Sequence, residues 1–200
     1  MALILSDLIL CDDGLARPSW AATDELLRNY YDTEWGMPVT TERGMFERIS
    51  LECFQAGLSW ATVLRKREAF RSVFDDFEPD VVSQYDDAKL SSLLQDPRII
   101  RNTAKIVATV TNAQAALRMR DAGGLVAFVW SFQPDTTPEP TTIAEIPTQS
   151  AESAALAQGL KMWGFKFVGP TMAYALMEAI GMVDTHLVGS FRRGSSGIWS

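Results

Sequence analysis

The last quarter of the chain carries the most restrictive pattern of helix-starting and helix-ending residues. Ser150 or Thr148 can cap a helix that ends at Gly164, where a helix-terminating glycine belongs. A short segment over 165–169 follows, and Pro170 then stands at the first position of a second helix, which suits its fixed φ. The pattern predicts a helix, a glycine-bounded hairpin and a second helix.

This helix-hairpin-helix segment, at about 150–181, has two interpretations. The backbone N–H groups of the hairpin and the positive end of the second helix can hold a phosphate, so the segment can bind DNA without much positive charge. The alternative is an ordinary antiparallel helix pair. The pattern alone leaves both open.

A single carboxylate interrupts the apolar face of a helix predicted over 41–56, which Thr41 caps and Gly57 ends. Burying an ionised carboxylate without partners is costly, so Glu52 must be hydrogen-bonded, neutralised or facing a cavity. One interpretation is a core residue satisfied by backbone N–H groups or a tyrosine hydroxyl, and the other is a pocket carboxylate beside Trp60. The residues that share the narrow arc of this helix are Met45, Ile49, Glu52 and Ala56.

Helical periodicity extends over most of the chain, and no set of alternating strands is found. The predicted fold class is all-α, a helical bundle with a smaller helical subdomain. We expect a single domain over 17–200, preceded by a loose extension over 1–16. The apolar run at 125–132 fits a strand or a buried helix, and the proline-rich stretch at 135–146 fits a loop. Further helices are predicted over 24–34, 59–74, 79–85, 87–94 and 102–122.

Composition bounds the class of protein. With 47% hydrophobic and 22% charged residues, the chain fits a globular domain. Its net charge of −7 argues against a non-specific nucleic-acid coat, because that affinity rests on phosphate neutralisation, but DNA binding through a local basic patch or through backbone N–H groups stays open. Cys11 and Cys53 offer no disulfide framework, and the short apolar start carries Asp7 and lacks a basic segment. We therefore expect no signal peptide, no membrane span and a cytoplasmic location.

Three segments carry a family resemblance. They are Tyr-Tyr-Asp-Thr-Glu-Trp-Gly at 30–36, Leu-Glu-Cys-Phe-Gln-Ala-Gly-Leu-Ser-Trp at 51–60 and Gly-Phe-Lys-Phe-Val-Gly at 164–169. With these segments in this order, the chain resembles the bacterial 3-methyladenine DNA glycosylase I family of the helix-hairpin-helix superfamily. The resemblance runs over about 20–192.

The resemblance implies a repair enzyme that excises 3-methyladenine from double-stranded alkylated DNA, as a monomer and without a cofactor. The damaged nucleotide would be flipped into a pocket, water would hydrolyse its N-glycosidic bond, and free 3-methyladenine would be released. Glu52 would act in catalysis by accepting hydrogen bonds from the base, Trp60 would stack on the base, and Tyr30 and Trp20 would complete the wall. The residue chemistry agrees, because an N3-methylated adenine nucleotide is cationic, and a carboxylate and aromatic faces favour it over neutral adenine.

The same resemblance places the DNA contacts on two loops. The turn over 55–58 would press into the gap left by the flipped base, with Leu58 as an apolar wedge, and a core position for Leu58 is the equal alternative. Asp184 receives no catalytic role, because the family does without the catalytic aspartate that related glycosylases place after the hairpin. The DNA-contacting residues implied in this way are Gln55, Gly57, Leu58, Gly164, Lys166, Val168 and Gly169.

The chain departs from the family at a structural zinc site. Many members hold the metal with two cysteines and two histidines, and only His186 is retained here. The other ligand positions fall at Pro18, Tyr31 and Ser190, so we expect no metal. We expect His186 to be a hydrogen-bonded structural residue and Tyr31 to pack beneath the tail of the chain.

The pocket sequence also departs from the family pattern, at Leu27, Cys53 and Phe54. Leu27 stands where the best-known members have a tyrosine, and Cys53-Phe54 replaces a smaller, more polar pair. These changes either alter the base preference or merely repack the core. Two further hypotheses therefore accompany the main one: a glycosylase with shifted base specificity, and a damaged-DNA-binding module without turnover.

Metal analysis of the purified protein is expected to find no stoichiometric zinc, because a chain with one histidine and two cysteines at unmatched positions cannot build the four-ligand site. Atomic emission spectroscopy on protein purified without chelators measures the metal content. One equivalent of bound zinc would show this interpretation to be wrong.

Overall fold

Ten α-helices make up nearly all of the regular structure in residues 7–199, the part of the chain that this computed structural model describes. The predicted all-α class is confirmed. None of the helices found there is both long and apolar enough to cross a membrane. The elements are β1 (Leu8–Leu10), β2 (Ala16–Pro18), α1 (Ser19–Ala22), α2 (Glu25–Thr33), α3 (Glu42–Gln55), α4 (Trp60–Val73), α5 (Pro79–Val82), α6 (Asp87–Gln95), α7 (Thr103–Met119), α8 (Gly124–Trp130), α9 (Ala151–Met162) and α10 (Pro170–Ala179).

Hydroxyl caps begin three helices at the predicted positions. The Thr41 hydroxyl accepts a hydrogen bond from the backbone N–H three residues further on, at 3.2 Å, and the Ser59 hydroxyl does the same at 3.3 Å. Of the two candidates for α9, Ser150 rather than Thr148 is the cap, since its hydroxyl accepts from the N–H of Ser153 at 3.1 Å. Each cap satisfies a backbone donor that has no partner within the helix.

The ambiguous apolar run at 125–132 is a buried helix and not a strand. Leu125 and Val129, one turn apart on α8, are both fully buried. The Trp130 indole N–H donates to the carbonyl of Val39 at 3.0 Å, which fixes the end of α8 against the segment before α3. The hydrophobic periodicity alone could not distinguish a strand from a helix here, and these tertiary contacts stabilise the helix.

The start of the chain is more ordered than the sequence predicted. The expectation of a loose extension over 1–16 is wrong for residues 8–16, because β1 and β2 form an antiparallel pair there, and this small sheet leaves the fold nearly all helical, as expected. Arg17 anchors this hairpin by donating to the carboxylates of Asp13 and Asp32 at 2.7 to 2.9 Å. Residues 1–6 lie outside the described residues. The paired residues are Leu8 with Pro18, Ile9 with Arg17 and Leu10 with Ala16.

α3 runs through the middle of the helical assembly. It packs against α4, α7, α8 and α10, so apolar contacts cover most of its circumference. Every residue over 45–54 except Glu47 is buried. A helix covered on most sides has no solvent face for a polar side chain, so a charged group within 45–54 needs a partner or a cavity.

The carboxyl end of α3 is held by a buried ammonium group. Lys105 of α7 donates from Nζ to the carbonyl of Phe54 at 2.9 Å and to that of Ala56 at 2.6 Å. Carbonyls at a helix end have no partner within the helix, so this side chain supplies the missing donor. The contact fixes α3 immediately before the turn over 55–58.

The positions of the missing zinc ligands converge in space, but their side chains do not fit a metal. The Tyr31 hydroxyl lies 2.5 Å from the Ser190 hydroxyl, and the Tyr31 ring packs edge-on against His186 with 5.3 Å between centroids. His186 Nδ1 lies 2.6 Å from an oxygen of Asp184, and Pro18 borders the same small void as Tyr31 and His186. Structural zinc takes four nitrogen or sulfur ligands, which this set lacks. In the described part of the chain, no group of three or more His, Cys, Asp or Glu side chains is placed to hold a metal.

Lys105→Met is expected to lower the free energy of unfolding by about 2 kcal/mol, because it leaves two carbonyls at the end of α3 without a donor. Urea unfolding followed by circular dichroism measures the change. Lys89→Met is the control, because Lys89 makes a partly exposed ion pair with Asp75 and should contribute less than about 0.5 kcal/mol. A loss no larger than that of the control would show that the buried ammonium does not stabilise this helix end.

Candidate active site

A cavity of about 400 Å³ opens between α2, α3, α4 and α10. This volume lies within the roughly 300–1,000 Å³ that is typical of small-molecule sites. The cavity wall is mainly apolar and aromatic, with one carboxylate from α3 and another from α10. The residues singled out in the sequence that line it are Trp20, Leu27, Tyr30, Glu52, Gln55 and Trp60.

Glu52 faces this cavity from α3 and is only 6% exposed. Within the described chain, no hydrogen bond or ion pair engages its carboxylate. Ile49 and Met45, one and two turns earlier, are fully buried as predicted, whereas Ala56 is exposed because α3 ends at Gln55. The alternative of a core carboxylate satisfied by internal donors is therefore excluded in favour of a cavity carboxylate.

The charges around Glu52 oppose one another. Burial and, to a smaller extent, the nearby Glu178 carboxylate raise the pKa of Glu52 to about 8, although the Arg48 guanidinium acts in the opposite direction. Arg48 is also buried, and it pairs with Glu34, which binds Arg67 as well. Because two guanidinium groups share one carboxylate, one unit of positive charge is left beside the two carboxylates of the cavity.

Aromatic rings form the walls. Trp60 begins α4 directly after its cap and lies against Tyr30 of α2, with 5.3 Å between ring centroids and 44° between ring planes. Trp20 packs edge-on against Trp35 at 5.7 Å, and both line the cavity. Burial raises the pKa of the Tyr30 phenol, so this hydroxyl stays protonated. The rings give the cavity flat, electron-rich surfaces.

Glu178 is the cavity residue of most chemical consequence that our sequence reasoning missed. It lies one turn after Ala175 on the face of α10 that lines the cavity. The Thr185 hydroxyl donates to Glu178 Oε1 at 2.6 Å. Burial raises the pKa of Glu178 to about 7, and the Thr185 hydrogen bond acts against this rise. A signal was available, because Glu178 is the only charged residue in α10, the same pattern that drew attention to Glu52.

Other wall residues were also not assigned from the sequence. Trp35 lies within the recognisable segment at 30–36, so its motif gave a signal. Ile146 gave none, because it follows a long proline-rich loop and only the tertiary structure brings it to the cavity. The unassigned wall residues besides Glu178 are Trp35, Ser59, Ala61, Ile146 and Ala175.

The turn after α3 lies at the edge of the cavity. Gln55 lines the cavity, and its carbonyl accepts from the Leu58 N–H at 2.6 Å to close the turn. Gly57 adopts φ of 81°, a left-handed conformation that favours glycine. The Leu58 side chain is 41% exposed, so the core alternative for this residue is excluded.

The predicted DNA-contacting hairpin connects α9 and α10 and lies outside the cavity wall. Asn112 already engages both backbone groups of Lys166, accepting from its N–H at 2.7 Å and donating to its carbonyl at 3.2 Å. In the described chain, no acceptor is hydrogen-bonded to the N–H groups of Phe167, Val168 or Gly169. The hairpin thus presents consecutive free donors at the amino end of α10. The Val168 side chain itself is buried in the core.

Gly164 has a structural role that its sequence position predicted. It ends α9 with φ of 99°, and a Cβ there would lie 3.0 Å from a guanidinium nitrogen of Arg118. The same guanidinium donates to the carbonyl of Trp163 at 3.0 Å. Close packing at the helix end accounts for this glycine.

The three departures from the family pattern fall in different places. Leu27 lines the cavity. Phe54 is fully buried and packs against Phe70 with 4.5 Å between centroids. Cys53 is buried, and its thiol donates to the hairpin carbonyl of Phe167 at 3.5 Å. Cys53 and Phe54 therefore repack the core, and only Leu27 can affect the base preference directly.

Asp184 has a structural role, because its carboxylate binds backbone N–H groups, and this agrees with our assignment of no catalytic role. It is outside the cavity wall, and its carboxylate accepts from the His186 backbone N–H at 3.0 Å and from the Gly194 N–H at 2.7 Å. These donors and His186 Nδ1 keep the pKa of Asp184 below its ordinary value despite burial. His186 is hydrogen-bonded, as predicted.

The fold and the site together define a mostly helical protein with an aromatic cavity that contains a carboxylate without a partner in the described chain. The aromatic rings of the cavity have flat faces, and a positive charge bound there would stabilise the Glu52 carboxylate, which has no partner in the described chain.

The chain belongs to the methyladenine glycosylase family, whose model matches residues 20–193. DNA-3-methyladenine glycosylase 1 of Escherichia coli (strain K12) is 46% identical to it over 179 residues, which cover 88% of this chain and 95% of the relative. A crystal structure of 3-methyladenine DNA glycosylase I has a TM-score of 0.84 at 41% identity, covering 92% of this chain and 100% of the other. A variant of 3-methyladenine DNA glycosylase I in complex with 3-methyladenine has a TM-score of 0.83 at 31% identity, covering 88% of this chain and 96% of the other.

Glu52→Gln is expected to raise the free energy of unfolding at alkaline pH, because the folded protein no longer buries an ionised carboxylate. The folded-state pKa of about 8 lies above the ordinary 4.5, so the stability that the protonated group contributes is present at low pH and is lost as the pH rises through 8. The gain should be near zero at about pH 4 and on the order of 3 kcal/mol at about pH 9. Urea unfolding at both pH values measures it.

Glu68→Gln is the matched control, because the side chain of Glu68 is 80% exposed. Its effect should not grow with pH. An effect of Glu52→Gln that is equally large at both pH values would contradict the burial of an ionisable group.

Proposed function

We propose that this chain is a monofunctional DNA glycosylase that excises 3-methyladenine from alkylated double-stranded DNA. The observation that carries the proposal is the Glu52 carboxylate, buried in an aromatic cavity without a partner in the described chain. The family assignment and the relatives named DNA-3-methyladenine glycosylase support the same activity. The cavity volume is sufficient for a nucleobase.

A cationic purine suits this cavity better than a neutral one. N3-methylated adenine in DNA carries a positive charge, and unmodified adenine does not. An ionised carboxylate attracts that charge strongly where the effective dielectric constant is low, and the faces of Trp60 and Tyr30 add cation–π attraction. Neutral adenine brings no positive charge and so gains no such attraction from Glu52. Selection therefore rests on charge as well as on shape.

The chemical step needs little assistance, because alkylation has already weakened the bond that breaks. The electron pair of the C1′–N9 bond moves to the positively charged purine, which leaves as neutral 3-methyladenine. Water adds to C1′ and its proton passes to solvent. Glu52 accepts hydrogen bonds from the base and Trp60 stacks on it, while none of the described residues that line the cavity is a lysine that could form a covalent intermediate.

Two surfaces beside the cavity account for DNA binding in this proposal. The free N–H groups of Phe167, Val168 and Gly169 bind a backbone phosphate at the amino end of α10, a contact that needs no excess of basic residues. Leu58, exposed on its tight turn, enters the gap left by the flipped base, and Gln55 lies between this turn and the cavity.

We place the enzyme in the cytoplasm as a monomer. Cys11 and Cys53 are both free thiols, which suits a reducing compartment. The hairpin, the turn and the cavity all come from one chain, so a single copy holds every group that the mechanism uses. Those groups belong to the protein, the DNA and water, and the mechanism includes no cofactor.

Leu27 favours a second candidate, a glycosylase with a shifted base preference. This side chain lines the cavity at the position where the family resemblance implies a tyrosine. Leucine supplies no hydroxyl to the base edge and leaves an apolar surface in its place. Such a surface would favour bases with larger alkyl groups.

The test of both candidates is a base-release assay. The protein is incubated with methylated duplex DNA, and the released bases are identified by chromatography. Release of 3-methyladenine supports the proposal, release of a different alkylated base supports the alternative based on Leu27, and binding without release identifies a damage-binding module without turnover.

Glu52→Gln is expected to slow the release of 3-methyladenine by about 100-fold or more, because it removes the charge that draws the cationic nucleotide into the cavity, so that less of the damaged nucleotide is flipped and positioned for cleavage. Single-turnover kinetics measure the rate, and binding to undamaged duplex DNA should be unchanged. Glu68→Gln serves again as the control with an exposed carboxylate. Unchanged release kinetics in the Glu52 variant would remove this residue from the mechanism.

A further inference from the structure

The cavity contains a second carboxylate, Glu178, that the proposed mechanism does not use. It approaches from α10, opposite the helix that carries Glu52, and lies on the same face as Ala175. Its Oε1 atom accepts from the Thr185 hydroxyl at 2.6 Å, and no other hydrogen bond or ion pair engages it in the described chain. A hydroxyl fixes the orientation of a carboxylate but does not neutralise its charge.

The second carboxylate leaves the surroundings of the cavity with an excess of negative charge. Arg48 and Arg67 share the single carboxylate of Glu34, which leaves one positive charge near the cavity. Glu52 and Glu178 together bring two negative charges when both are ionised, so the surroundings of the cavity then carry a net charge of −1. Either one proton or one cationic ligand balances this charge.

The other titratable groups near the pair do not change charge around neutral pH. Burial raises the pKa of the Cys53 thiol to about 12 and that of the Tyr174 phenol to about 12, and it raises the pKa of Tyr30 as well. His186 is outside the cavity wall, where it bonds Asp184. The charged and titratable groups near the pair on the surrounding elements are Tyr30, Glu34, Arg48, Cys53, Arg67 and Tyr174.

We propose that Glu178 is a second specificity-determining carboxylate, which with Glu52 holds one shared proton in the empty cavity and releases it to solvent when a cationic purine enters. The exchange balances, because one positive charge enters the cavity and one proton leaves. A neutral purine displaces no proton and leaves the cavity charge unchanged. This inference rests on the proposed function for the identity of the ligand.

The ionisation of Glu52 and the ionisation of Glu178 depend on each other. Repulsion between Glu52 and Glu178 raises the pKa of Glu52 beyond the effect of burial, so removing one charge makes the other group easier to ionise. After bond cleavage the purine is neutral, and a proton returns to the pair in its place. Product release and proton uptake are thus coupled.

The first experiment uses the wild-type protein and two purines that differ in charge. The probe 3,9-dimethyladeninium is a fixed cation in which a methyl group replaces the sugar, and 9-methyladenine is its neutral counterpart. Quenching of the cavity tryptophans measures both dissociation constants between about pH 6 and pH 9. We expect the affinity for the cation to rise by up to about tenfold per pH unit below the pKa values of the pair, and the affinity for the neutral purine to stay level. Equal pH profiles for the two purines would overturn the proposal.

Calorimetry in two buffers of different ionisation enthalpy counts the protons directly. Wild-type protein should release close to one proton per bound cation at neutral pH. This measurement needs no variant and therefore stands even if a substitution prevents folding. Release of no proton would overturn the proposal.

Variants then assign the effect to Glu178. Glu178→Gln should move the pH-dependent rise to lower pH, because Glu52 loses its repulsive neighbour, and should weaken cation binding at about pH 9 by about tenfold. Thr185→Val removes the hydrogen bond that holds the pKa of Glu178 down and should move the rise to higher pH. Glu139→Gln, whose side chain is 81% exposed, should behave as the wild type. A Glu178→Gln protein that keeps the wild-type affinity and pH profile would show that the residue is only structural.

The base-release assay separates failure of this inference from failure of the proposed function. If the wild type releases 3-methyladenine and Glu178→Gln matches it in rate, pH profile and cation affinity, only the inference fails. If the wild type releases no base, the proposed function fails whatever the two purine probes show.

Discussion

Glu52 is a carboxylate on a helix that is covered on most sides, and the described chain gives it no partner. A buried charge without a partner is unfavourable in the empty protein, and we propose that this gives the site its preference for a cation. The rest of the local structure keeps the charge in place. Lys105 fixes the end of α3, Trp60 and Tyr30 border the cavity, and Arg48 moderates the cost of ionising Glu52 without pairing with it. In this proposal, the buried carboxylate that lowers the folding stability is also the group that selects the ligand.

The same two helices carry the cavity carboxylates and hold the hairpin that we propose binds DNA. α10 begins at the hairpin and carries Glu178 further along. α3 carries Glu52, and the next residue, Cys53, donates its thiol to a hairpin carbonyl. Asn112 of α7 binds both backbone groups of Lys166 in the hairpin. Because helices connect the two regions, the distance between the hairpin N–H groups and the cavity is set by the fold.

An acidic chain can act on DNA when its contacts are local. The net charge of −7 argues against binding as a non-specific nucleic-acid coat, whereas backbone N–H groups at a helix start need no side-chain charge. In the tail of the chain, a hydrogen bond likewise occupies the place of the metal site that the family resemblance implies. The Tyr31–Ser190 hydrogen bond joins α2 to the tail at positions where the family resemblance implies zinc ligands. A direct hydrogen bond between buried hydroxyls fixes the same two segments without a metal.

The sequence by itself determined the helices, their caps and the Glu52 carboxylate, because hydroxyl caps, helix-ending glycines and periodicity act within a few residues of one another. The sequence also contains a signal for Glu178, because a single charged residue in an otherwise apolar helix indicates a buried carboxylate that needs a partner or a cavity. Only the tertiary structure decided that Leu27 faces the cavity while Cys53 packs in the core, that Leu58 is exposed, and that both carboxylates share one cavity. Those outcomes depend on contacts between residues far apart in the chain, and local patterns carry no information about which distant side chain will meet which.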